Sequence, residues 1–93
     1  MIQSEVIAAN ERWRVRWGPN VGYALTYVLG SMTVYLKTPA EKEVFLKSLE
    51  QMRNYMVQHH EEEGWLGSEY LWIRMSLEDV IFLIDALSKD VMQ

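Results

Sequence analysis

Between Trp13 and Lys37 apolar and polar residues alternate in a way that a helix cannot satisfy and a meander of strands can. Trp13, Val15 and Trp17 fall on one side of a first strand, with Arg14 and Arg16 on the other. A five-residue loop at 18–22 then sets Trp17 opposite Tyr23, Val15 opposite Leu25 and Trp13 opposite Tyr27. Reading Gly30-Ser31 as a two-residue hairpin loop sets Leu29 opposite Met32, Tyr27 opposite Val34 and Leu25 opposite Leu36. Both registers predict the same apolar face, and such a face needs a second layer to cover it.

The rest of the chain supplies that layer. Thr38-Pro39-Ala40-Glu41 reads as a helix start: a hydroxyl cap, a proline where no amide partner is lost, and a glutamate closing the capping box. Phe45, Leu49, Met52 and Met56 follow at helical spacing, and the helix is expected to run to about Glu62, with Gly64 as its terminator. A short loop at 64–67 holds Trp65. Glu69–Met75 reads as a fourth strand, with Leu71, Ile73 and Met75 on one side and Tyr70, Trp72 and Arg74 on the other. Ser76 and Asp79 resemble a shorter capping box, opening a helix to about Met92 that buries Val80, Leu83, Ile84, Leu87 and Val91. Residues 1–11 admit three readings: a loosely ordered end, a short helix capped by Ser4, or an extension of the first strand.

The expected fold is α+β, a single domain over 1–93. It has two layers in the order β-β-β-α-β-α, with a mostly antiparallel four-stranded sheet and both helices on one face. If the strand at 69–75 joins the sheet, it lies parallel to the third strand across a right-handed crossover.

Composition narrows the function classes. The chain has no cysteine, which removes disulfides, thiolate metal sites and a Cys nucleophile. The net charge of −4 is unevenly spread, +2 over residues 1–37 and −6 over 38–93. An acidic chain is a poor candidate for binding duplex DNA with its whole surface, although a local basic patch remains compatible with it. The opening residues lack a basic leader followed by an apolar run, and no segment is apolar enough to span a bilayer, so a soluble, cytoplasmic protein is expected.

No glycine pattern cradles phosphate, and no serine sits in a nucleophile-elbow context. His59 with Glu63 has the spacing of two metal ligands, too few for a tight site, so no metal, cofactor or catalytic residue is expected. Met32, Met52, Met56 and Met75 could line a small-molecule cavity, but core packing explains them more simply.

The constellation that carries function lies on the far side of the sheet, where Arg14, Arg16, Ala24, Thr26, Val28, Thr33, Tyr35, Lys37, Tyr70, Trp72 and Arg74 are expected to point away from the helices. Tyr, Trp and Arg are the side chains most enriched at the anchoring centres of protein interfaces. The expected function is therefore a non-enzymatic interaction domain, homo-oligomeric (a homodimer) or an adaptor or inhibitor of another protein. It binds through Arg14, Arg16, Tyr35, Tyr70, Trp72 and Arg74. Phe82 is a secondary candidate, because its helical neighbours Glu78, Asp85 and Lys89 are charged. The alternative is single-stranded nucleic acid held by the same basic and aromatic face.

Overall fold

A computed structural model of the chain describes residues 4–30, 32–67 and 72–89. Among the described residues the strands and α-helices are β1 (Glu5–Ala9), β2 (Trp13–Gly18), β3 (Gly22–Tyr27), β4 (Met32–Leu36), α1 (Pro39–Gln58), β5 (Glu63–Gly67), β6 (Trp72–Ser76) and α2 (Leu77–Ser88). Strands β1 to β4 form a four-stranded antiparallel sheet in sequence order, and β5 and β6 form a separate hairpin. The class, the four-stranded antiparallel sheet and the two helices agree with the sequence. The fourth strand of the sheet does not: its place is taken by β1 from the N-terminal segment, and the strand near residue 72 pairs with β5 instead. The parallel crossover therefore does not form.

The β2–β3 register is the expected one, with Trp13 opposite Tyr27, Val15 opposite Leu25 and Trp17 opposite Tyr23. The β3–β4 register is displaced by two residues, placing Tyr27 opposite Met32, Leu25 opposite Val34 and Tyr23 opposite Leu36. The cause is a 3₁₀ turn over Val28–Gly30, which takes Val28 and Leu29 out of the strand. A displacement of two leaves every side chain on its original face, because the strand repeat is two.

Trp13, Val15, Tyr23, Leu25 and Leu36 form the sheet's half of the core. Leu46, Leu49 and Met56 of α1 and Val80, Leu83, Ile84, Ala86 and Leu87 of α2 form the other half, with Met75 of β6. Met56 and Met75 are thus packed among core side chains, and Met52 lies against the backbone of Gly64. At the hairpin between β2 and β3, Gly22 has φ +73°, and a Cβ there would stand 2.2 Å from the carbonyl oxygen of Leu36. Only glycine allows this approach.

The start of α1 is as expected. The Thr38 hydroxyl accepts from the Glu41 amide, and the Glu41 carboxylate accepts from the amides of Thr38 and Lys37, all at 3.1 Å. Thr38→Ala is expected to cost about 1 kcal/mol, read from denaturant unfolding.

Its end is earlier than expected. The helix stops at Gln58, with His60 at φ 56°. The Glu61 amide donates to Met56 O at 2.8 Å and the His60 amide to Val57 O at 3.3 Å. This pairing is a Schellman motif with histidine in the left-handed position usually held by glycine. Gly64, expected to terminate the helix, lies in β5, which replaces the expected loop at 64–67. Helix α2 is described to Ser88, so Val91 lies outside the described residues. Among the described residues no helix is long and apolar enough to cross a membrane.

Candidate functional site

Strand alternation puts Arg14 and Arg16 of β2 on the side of the sheet that faces away from the helices. Pairing carries the same face across the sheet: Arg14 stands opposite Thr26 and Thr26 opposite Thr33, while Arg16 stands opposite Ala24 and Ala24 opposite Tyr35. Strand β1 adds Val6, opposite Arg16, and Ala9, opposite Arg14. A bulge between Val6 and Ala8 lets both Ile7 and Ala8 reach the core.

The face is a shallow trough of about 650 Å³. Gly22, Ala24 and Thr26 make its floor, Thr33 and Tyr35 form one side, and Arg16, Lys37 and Asn20 stand around it. Tyr35 is 61% exposed. The Thr26 and Thr33 hydroxyls lie 3.1 Å apart, a cross-strand hydrogen-bonded pair on this face.

No Asp or Glu lines the trough among the described residues. The ion pairs found among those residues are Arg12 with Asp79, Lys42 with Glu43, and Arg74 with Glu63. Arg14, Arg16 and Lys37 take part in none of them. Three cations therefore crowd one face of a chain whose net charge is −4.

The sequence places Tyr70, Trp72 and Arg74 on this same face, and the pairing separates them from it. Arg74 and Trp72 belong to β6, which pairs with β5 rather than with the sheet. Arg74 stands opposite Trp65, and both are exposed. Tyr70 lies outside the described residues. Val28, expected on the sheet face, lies in the 3₁₀ turn. Phe82 is half-buried and packs against the core, so the outward position expected for it falls to Ile81, 48% exposed. Asn20, Val21 and Ser4 line the trough without having been singled out. Asn20 and Val21 belong to the tight turn between β2 and β3, and Ser4 precedes β1, so neither position carries an alternation signal.

A second polar cluster joins the sheet to α2. The Asn10 side chain accepts from the amides of Arg12 (2.9 Å) and Trp13 (2.7 Å), fixing the turn between β1 and β2. Arg12 Nε then donates to Asp79 at 2.8 Å, and Asn10 Nδ2 lies 3.4 Å from the same carboxylate. Asp79 is 2% exposed, and its own amide donates to the Ser76 cap at 3.2 Å. The hydrogen bond to Asp79 and its negative charge both push the Arg12 guanidinium pKa further up.

At the C-terminal end of α1, His59 packs against Tyr55 in a tilted pair with ring centres 4.2 Å apart. Among the described residues no three His, Asp or Glu side chains gather as a metal site. Comparison of the chain with protein-family models, curated proteins and solved structures finds no match.

Proposed function

We propose that this chain is a non-enzymatic interaction domain that docks an acidic protein surface onto the open face of β1–β4. One observation carries the reading: Arg16, Lys37 and an exposed Tyr35 share a trough that no carboxylate lines among the described residues, with Arg14 on the same sheet face, in a chain whose net charge is −4. Arginine and tyrosine present large, partly apolar contacts that recur at the energetic centres of interfaces. The small floor residues let a partner's backbone come close, and the cations select its charge.

Single-stranded nucleic acid would meet the same cations. Stacking platforms for single strands use successive aromatic side chains, and the described residues put one aromatic, Tyr35, in the trough. The acidic remainder of the chain would also repel a long polyanion. A short acidic protein segment suits the site better.

The test is a photo-reactive phenylalanine analogue in place of Tyr35, with the same analogue in place of the exposed Lys47 as control. Irradiation in the host cell is expected to give a protein adduct from position 35 and none from position 47. Adding Arg16→Gln should remove the adduct. A nuclease-sensitive adduct, or none at all, would contradict protein docking.

A further inference from the structure

We infer that the trough receives the acidic turn of a second copy, through Glu61 and Glu62, so that copies associate head to tail. The inference rests on the docking reading above and names its occupant.

The turn is the counterpart of the trough in charge. Glu61, Glu62 and Glu63 follow one another at the end of α1, and all three are exposed. Glu63 is paired with Arg74, while Glu61 and Glu62 take part in no ion pair among the described residues. Carboxylates beyond a helix C-terminus meet the negative end of the macrodipole, so an external cation relieves them.

The turn is also preorganised. The Schellman hydrogen bonds hold its first half, and the Leu77 amide donates to Glu62 O at 2.8 Å, tying the second half to the start of α2. A fixed turn loses little freedom on docking.

Lys37 and the acidic turn lie at opposite ends of α1 and do not reach each other within one molecule. Lys37 immediately precedes the cap of α1, and the acidic turn follows its last residue. The 20 residues of α1 span about 30 Å, in a molecule 43 Å long. That exceeds the Debye length of roughly 8 Å at physiological salt. Unlike surfaces at the two ends of a molecule give a heterologous contact, which extends into a chain or closes into a ring. The contact is small, so weak, salt-dependent association is expected.

Light scattering over a concentration series tests this with two variants, Arg16→Gln with Lys37→Gln and Glu61→Gln with Glu62→Gln. Circular dichroism confirms that each is folded. At about 0.1 M salt the wild type should gain mass with concentration, and at about 1 M, where the Debye length shrinks to roughly 3 Å, it should return to its monomer mass of 11.0 kDa. Each variant alone should stay monomeric. Mixed in equal amounts, they should form a dimer that does not grow, because the pair retains one intact trough and one intact turn.

A wild type that is monomeric at both salts, variants that still self-associate, or a mixture that stays monomeric would each overturn the inference. A Tyr35 adduct with a different protein, alongside a monomeric wild type, would remove the second copy as occupant and leave the docking face standing.

Discussion

Trp13→Ala is expected to remove about 3–5 kcal/mol of stability and to lower the melting temperature by more than about 10 °C. Trp13 is 1% exposed, opens β2, and packs against Tyr27 in a tilted pair with ring centres 5.2 Å apart. A folded chain of 93 residues has roughly 5–14 kcal/mol to lose. The truncation therefore removes a large share of the total. Trp13→Phe separates packing from polarity. The indole Nε1 has no hydrogen-bond partner among the described residues, so a ring without it gives up some volume and also relieves a buried unpaired donor. Trp13→Phe should therefore stay within about 1.5 kcal/mol of wild type. Thermal unfolding followed by circular dichroism measures both. If the two variants lost equal stability, the ring would not be the packing element it is taken to be here.

The second large effect is expected at Asp79. Its carboxylate is buried and anchors the turn between β1 and β2 to the first turn of α2, across 67 residues of sequence. Asp79→Ala should cost about 1–3 kcal/mol. Arg12→Ala should also destabilise, since it leaves the buried carboxylate without its cation. Arg14→Ala, on the open face, should change stability by less than about 0.5 kcal/mol. The double variant Arg12→Ala with Asp79→Ala should be less destabilised than the sum of the single changes. Strict additivity in urea unfolding would show that the pair is not coupled.

These two residues also mark what the sequence makes legible. Trp13 belongs to a period-two alternation, and the β2–β3 register follows from it because the five residues at 18–22 close a tight turn between matched faces. Thr38-Pro39-Ala40-Glu41 was equally readable, because a capping box is local chemistry. Asp79 was visible only as a residue near a helix start. Its partner Arg12 lies far off in sequence, and no local pattern links them.

The same distinction explains the strands. Glu5–Ala9 carries an apolar run that suits a short helix as well as a strand, and pairing with β2 decides between them. Glu63–Gly67 contains two glycines and reads as a loop until β6 pairs with it. The end of α1 was masked because His60, rather than a glycine, takes the left-handed position.

The candidate site was partly legible for a reason of parity. The β3–β4 register was displaced by two residues, an even number, so Thr33 and Tyr35 still fall on the face of Arg14 and Arg16. The assignment of Arg74 to that face depended on which sheet its strand joins. Sequence order does not fix that, and Arg74 lies on a separate hairpin.

Tyr35 and Tyr55 offer the most direct test of the docking face. They are 61% and 54% exposed, one on the sheet and the other on α1. Hydroxyl-radical footprinting of the chain in its host cell, against the dilute purified chain, compares them within one molecule. Modification of Tyr35 should fall severalfold in the cell, and nuclease should not restore it. Equal modification of Tyr35 in both settings, or protection of Tyr55 instead, would contradict a docked sheet face.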